Sequence, residues 1–321
     1  MLQGGVRRRR VNSPLVVALA LLVGGGGLGG WLATAGGGSS GVQVARAATP
    51  SFSAGKLPVV RPPRTLLHAG GRVARRGFTP GLTAAGAILV DEKTGRVLWA
   101  KQEHMRLPIA STTKVMTAAV ALERLAPRDI VRIDPSVPRV APFREGLRAG
   151  ERVPAWKLFY GLLLYSGNDD ALALAIGSAG SRGAFLDLMN RRARQLGLRD
   201  THFTSPSGVV DKGNYSTAWD LATITRWAMQ NPRFRTVVQT RVKRVSWAPP
   251  TYSKIYVNKN HLLGSYAGAD GVKTGWTTLA SHCLVASAHR HGVRMLAVVL
   301  RSSDPYTDVR RLLDYGFATR G

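Results

Sequence analysis

The chain of 321 residues predicts an α+β fold, a mostly antiparallel sheet carrying a helical lobe. Strand-like runs stand at both ends of the region from about residue 84 onward. The text between them has helical periodicity, the pattern of an α+β layer architecture rather than of alternating βαβ units. An apolar fraction of 45% supplies enough side chains for a real core.

The first 80 residues have a different character. Arg7 to Arg10 form a charged n-region, and Leu15 to Val23 form an apolar run of signal-peptide length. Small-residue A-x-A sites follow at Ala33-Thr34-Ala35 and Ala45-Arg46-Ala47. Pro14 to Ala35 carries no charge and is just long enough to span a bilayer. Residues 1–47 are therefore expected to be a signal peptide or an N-terminal membrane anchor. Either one exports the protein to the cell envelope, secreted or tethered. Residues 48–80, rich in Pro, Gly and Arg and without periodicity, read as a linker, and residues 81–321 as the folded domain.

Within that domain "AAGAILV" and "RVLWAK" read as strands joined by the turn "DEKTG", whose Lys93-Thr94-Gly95 closes a hairpin with Lys93 facing water. "STTKVMTAAVALERLA" repeats its apolar residues at helical spacing from Val115 to Leu125, with Ser111 at the helix start. A second helix, "AWKLFYGLLLY", stops at "SGN". "DDALALAIG" then opens another with acids in its first turn, where the helix dipole favours them. Ser166 and Asn168 thus occupy a helix–helix corner. After two further helices come the strand-like "KRVSWAP", "GVKTGWT", "SHCLVASAHR" and "VRMLAVVLR", then a closing helix in "DVRRLLDYGFAT".

The net charge of +27 divides into +11 on residues 1–80 and +16 on the remainder. A basic domain suits an anionic partner such as a wall polymer or lipid, but no basic run alternates with aromatics, which argues against nucleic acid. Cys283 is the single cysteine, so an internal disulfide is excluded, and its apolar setting reads as a core thiol. The seven His are scattered, and neither a metal site nor a cofactor is expected.

Three short motifs carry chemistry. Ser111 and Lys114 stand three apart on a helix, so their side chains share a face, with the amine in reach of the hydroxyl proton. Ser53 and Lys56 repeat that spacing in the linker, where no helix orients them. Ser166-Gly167-Asn168 alone reads equally well as a pair of helix caps. Lys273-Thr274-Gly275 opens a strand, where alternation sends Lys273 and Gly275 to one face and Thr274 to the other. A glycine at that point leaves room for a ligand backbone.

Taken together and in this order, Ser-x-x-Lys, Ser-x-Asn and Lys-Thr-Gly are the motif set of penicillin-binding proteins and class A β-lactamases. The flanking "RLPIASTTKVMTA", "YSGNDDALALA", "THFTSPSGVVDKGNYSTAWDLA" and "NHLLGSYAGADGVKTGWT" resemble the serine D-Ala-D-Ala carboxypeptidases, from about residue 82 to 319. The resemblance implies the penicillin-binding protein/β-lactamase-like serine transpeptidase fold, with peptidoglycan stem peptides as substrates and β-lactam antibiotics as covalent inhibitors. It implies Ser111 as nucleophile, Lys114 as general base and Ser166 as proton relay. Asn168 is implied to hold the substrate amide, Lys273 and Thr274 the terminal carboxylate, and the backbone N–H groups of Ser111 and Trp276 the oxyanion.

The chain departs from the family at Ala280-Ser281, where Ala-Gly is usual. It also stops where the catalytic domain closes, without the second β-rich domain and C-terminal amphipathic helix of many relatives. Membrane attachment is therefore expected through the N-terminus only. A class A β-lactamase deacylates with a Glu placed after Ser-x-Asn, and Glu151 is the last Glu here. A D,D-endopeptidase cutting cross-links shares the whole catalytic set and stands as the alternative. A non-catalytic wall-binding protein would need no nucleophile–base pair.

Overall fold

Strands whose two faces are both apolar dominate the molecule. The computed structural model describes residues 67–69, 80–209, 212–247 and 252–319. The expected export segment and the Ser53–Lys56 repeat of the serine–lysine spacing lie outside the described residues.

The main sheet has six strands: β1 (His68–Ala69), β2 (Gly86–Asp91), β3 (Arg96–Lys101), β8 (Ala269–Thr277), β9 (Ser281–Arg290) and β10 (Val293–Ser302). Their spatial order is β1-β3-β2-β10-β9-β8, antiparallel except for the short β1–β3 pair. One difference from the sequence reading appears at β1. Two residues of the stretch assigned to linker pair with Arg96 and Val97, and Leu67 beside them is buried.

Alternation along β2 explains the continuous burial of "GAILVD". Ile88 and Val90 face the helical lobe, while Ala87 and Leu89 face the opposite side. That opposite side is covered by α7 (Pro305–Ala318), through Val309, Leu312 and Leu313. The lobe comprises α1 (Lys114–Leu122), α2 (Ala155–Tyr160), α3 (Asn168–Ala179), α4 (Arg182–Gln195), α5 (Ala218–Ala228) and α6 (Pro232–Val238). Two small hairpins complete the fold: β4 (Ile130–Arg132) with β5 (Arg152–Pro154), and β6 (Val242–Val245) with β7 (Lys254–Val257). A sheet covered on both faces needs apolar residues at every position, which is why its strands read as runs.

The first Lys-Thr-Gly closes the β2–β3 hairpin, as expected. Lys93 is exposed, Gly95 takes φ 79°, and Arg226 Nε donates to Glu92 O at 2.8 Å, tying the turn to α5. The helix expected over residues 155–165 differs in its second half. Gly161–Tyr165 winds as a π-helical turn and ends on Ser166 at φ 72°. Such wide turns re-aim the residues after them. Among the described residues no helix is long and apolar enough to cross a membrane.

Asp308 joins the start of the domain to its end. Its buried carboxylate accepts from Thr83 N, Thr83 Oγ1 and Ala84 N, each at 2.9 Å, and from Ser302 Oγ at 2.7 Å. Asp308→Ala leaves buried donors without an acceptor, a loss of about 3 kcal/mol. Thermal denaturation should record a fall of roughly 10 °C in Tm; an unchanged Tm would show that the junction does not depend on this carboxylate.

Candidate active site

Ser111 lies in a 3-10 turn, Ala110–Thr113, that runs directly into α1 at Lys114. The expected helix start is thus a tighter turn, and tightness is useful here. In a 3-10 turn residues i and i+3 eclipse, and Lys114 Nζ stands 2.9 Å from Ser111 Oγ. Ala110, just before Ser111, holds φ 46°, a value that residues other than glycine rarely adopt. Two glycines grip the turn from opposite sides. A Cβ at Gly208 would stand 2.1 Å from Ala110 O, and one at Gly275 would stand 3.1 Å from Ile109 O, Ser111 N and Thr112 N. The space that the sequence assigns to a ligand beside Gly275 is, on this side, filled by the chain's own Ala110–Thr113 turn.

Lys114 has no exposure to solvent. Besides Ser111 Oγ, its Nζ has Asn168 Oδ1 at 2.8 Å and Ser207 O at 3.2 Å. Burial first, and then the neighbouring Lys273, hold its pKa well below the ordinary lysine range. The partners match a neutral amine. Two N–H groups serve the carbonyl oxygens of Asn168 and Ser207, and the lone pair is left facing the Ser111 hydroxyl.

The corner Ser166-Gly167-Asn168 is shaped by the left-handed Ser166, which turns the chain from the π-helical segment into α3. Ser166 and Ser111 both line a cleft of about 350 Å³. Asn168 is buried, with Nδ2 donating to Pro142 O at 2.6 Å and its backbone N donating to Phe143 O at 2.8 Å. Next to it Asp169 accepts from the backbone N–H groups of Glu145, Gly146 and Leu147 at 2.8, 2.8 and 3.1 Å. The first-turn acids read from the sequence as dipole partners therefore have a tertiary use. Asp169 fastens a loop to the corner.

Strand β8 forms the third wall. It is an edge strand of the sheet, with Thr274, Gly275 and Trp276 lining the cleft and Trp276 55% exposed. Lys273 lies beneath, 1% exposed, and donates to Thr274 O at 2.9 Å. Burial and then Lys259 lower its pKa to about 7. Cys283 borders the same cleft as a buried thiol, pushed up to about 11 by burial.

The structure thus lines one cleft with Ser111, Ser166, Thr274, Gly275 and Trp276 and buries Lys114 and Lys273; Asn168 reaches Lys114 but borders a neighbouring recess, and Lys93 stands in the β2–β3 turn. Sequence reasoning missed three contributors. Ser207 acts through its carbonyl, which no side-chain pattern reveals. Phe143 lines the cleft from a loop. Lys259 also lines it, its Nζ 4.7 Å from the Phe143 ring centre and 4.9 Å from that of Tyr165. Lys259 lies in "NKNHLL", and in a chain so poor in lysine that lysine was a usable signal.

Residues 75–304 match the peptidase S11 family, described as D-alanyl-D-alanine carboxypeptidase. A D-alanyl-D-alanine carboxypeptidase of a Streptomyces species (strain K15) is 38% identical over 74% of this chain and 89% of its own length. The Bacillus subtilis D-alanyl-D-alanine carboxypeptidase DacF is 32% identical over 73% of this chain, which spans 62% of that relative's length. Among solved structures, the Streptomyces K15 DD-transpeptidase superposes with TM-score 0.70 at 35% identity, covering 75% of this chain and 99% of that one. A D-alanyl-D-alanine carboxypeptidase from Mycobacterium tuberculosis H37Rv gives 0.73 at 32% identity, covering 78% and 96%. The class defined by this fold is the serine DD-peptidase and transpeptidase type. The chain belongs to the D-alanyl-D-alanine carboxypeptidase family.

Gly275→Ala tests the grip on the Ser111 turn. The added methyl would stand 3.1 Å from Ser111 N and Thr112 N, so the turn must give by a few tenths of an ångström, well short of the displacement near 1 Å that costs about a hundredfold in rate. Acylation by a fluorescent penicillin should fall by roughly threefold to tenfold while Tm moves little; an unaltered acylation rate would show that the turn yields freely.

Proposed function

We propose that this chain is a serine D-Ala-D-Ala carboxypeptidase, removing the terminal D-alanine of peptidoglycan stem peptides through an acyl-enzyme on Ser111. The observation that carries this reading is the saturated, solvent-free amine of Lys114, 2.9 Å from Ser111 Oγ. A neutral amine takes the hydroxyl proton as Oγ attacks the carbonyl between the two D-alanines. The oxyanion forms beside the backbone N–H groups of Ser111 and Trp276, each such donor worth roughly a hundredfold or more in rate. Ser166 passes the proton to the leaving amine, D-alanine departs, and water hydrolyses the ester to regenerate Ser111. Asn168 orients the substrate amide. Thr274 and the cations Lys273 and Lys259 hold the terminal carboxylate, and β-lactams acylate the same serine.

Residues 1–47 export the protein, as signal peptide or anchor, residues 48–80 link, and residues 81–321 act outside the cytoplasm on the wall. One relative, 31% identical over 74% of this chain, is a D-alanyl-D-alanine endopeptidase from Pseudomonas aeruginosa, which supports cross-link cleavage as the second reading.

Labelling with a fluorescent penicillin, followed by assays on a pentapeptide and on a cross-linked dimer peptide, tests both readings. Ser111→Ala should abolish labelling, and Lys114→Arg, which cannot lose its proton, should lower acylation by more than about a thousandfold. Labelling that survives Ser111→Ala would overturn the mechanism, and cleavage of the dimer alone would make the protein an endopeptidase.

The lowered pKa of Lys273 adds a pH dependence whose sign is fixed. A carboxylate binds the protonated amine, so affinity is full below about 7 and falls as the pH rises through that value. The fall is at most about tenfold per pH unit. Competition of a D-Ala-D-Ala peptide against the labelled penicillin at a series of pH values should show it; a flat affinity across that range would remove Lys273 from the carboxylate site.

A further inference from the structure

Beneath the Ser166-Gly167-Asn168 corner lies a buried carboxyl pair that the acyl-transfer chemistry does not use. Glu145, on the loop before β5, has a side chain with 0% exposure, and Asp170, in the first turn of α3, is also fully buried. The two carboxyls lie against each other, with an oxygen of each reaching the same point above Gly161. They fill a recess that exists because two residues above them lack a Cβ. A Cβ at Gly161 would stand 2.4 Å from both Asp170 Oδ1 and Glu145 Oε2, and one at Gly167 would stand 1.9 Å from Asp170 Oδ2.

Two buried carboxylates this close repel each other strongly unless a proton lies between them. Among the described residues no hydrogen-bond donor serves any of the four oxygens. The cation beside them is Lys254 from β7, its Nζ 3.3 Å from Glu145 Oε1 and also donating to Glu145 O. A pair with one proton carries one negative charge, which Lys254 balances. A pair with none leaves one negative charge buried and unbalanced, a costly state. The other charged groups facing the pair are Asp169 from α3 itself, which opposes ionisation, and Lys114 from α1, whose charged form burial disfavours.

We propose that Glu145 and Asp170 share one proton, and that this proton clamps the 142–147 loop to the catalytic corner, so that the two residues position Asn168 and Ser166. The inference rests on the reading of Ser111 as nucleophile. The clamp acts where the loop already meets the corner, at Pro142 O, Phe143 O and the three N–H groups bound by Asp169. Burial, followed by their mutual repulsion in the case of Asp170, raises both carboxyls above the ordinary range. The sign follows. The clamp is complete at a pH below the usual carboxyl pKa and is lost as the pH rises through the raised one.

Asp170→Asn replaces the shared proton with a permanent amide donor facing the Glu145 carboxylate. In the full chain it should retain the acylation rate at about pH 6 within roughly threefold, and its rate at about pH 9 relative to that at pH 6 should exceed the wild-type ratio by roughly tenfold. Glu145→Gln is the mirror variant should Asp170→Asn fail to fold, with the same expectation. Infrared difference spectra supply a readout independent of catalysis: a protonated-carboxyl band at neutral pH in the wild type, lost in the Glu145→Gln/Asp170→Asn double variant. Absence of that band in the wild type overturns the shared proton. A band with superimposable wild-type and Asp170→Asn pH profiles overturns the positioning role. Acylation that survives Ser111→Ala with the band intact places the failure in the reading of the nucleophile instead.

Discussion

The site depends on one solvent-free amine. Lys114 Nζ is surrounded by Ser111 Oγ, Asn168 Oδ1 and Ser207 O, which come from the Ser111 turn, the helical corner and the segment before residue 210. A protonated amine there would carry a buried charge with no carboxylate among its hydrogen-bond partners, and that is expensive. A neutral one satisfies every contact. The same burial that keeps water from Lys114 therefore lowers its pKa, and whatever shifts one of the three segments disturbs both properties.

The rest of the molecule holds those segments in register. The sheet places its edge strand β8 against the Ser111 turn, and the contact is close because residue 275 has no side chain. Gly208 provides the same closeness on the other side. The left-handed Ser166 and the π-helical turn before it aim the corner inward. Asp169 then fixes the neighbouring loop by three backbone hydrogen bonds. Each device lets backbone approach backbone, which fixes positions better than contacts between long, mobile side chains.

Local signals in the sequence carried much of this. The β2–β3 hairpin, the helical spacing after Ser111, the corner at Ser166 and the strand opened by Lys273 were legible, because strand and helix periods and turn residues act over a few positions. The π-helical turn was not, since "AWKLFYGLLLY" has the same apolar pattern with either winding. Nor was the pairing of His68 and Ala69, two residues in a stretch without periodicity. The acids after Asn168 were read as helix-dipole partners, yet Asp169 bonds to a loop more than twenty residues earlier and Asp170 lies against Glu145 of that loop.

By itself the sequence determined which chemical groups exist and in what order: Ser-x-x-Lys, Ser-x-Asn, and two copies of Lys-Thr-Gly with opposite surroundings. It could separate the turn copy from the strand copy, because a hairpin tip and a strand opening are local events. Only the tertiary structure decided what each group meets. It brought the Ser207 carbonyl to Lys114, placed Lys259 in the cleft, used Gly275 to admit the Ser111 turn, and buried Glu145 against Asp170. The physical reason is range. Periodicity and turn chemistry encode a residue's neighbours along the chain, whereas these contacts join segments that meet only once the core has formed.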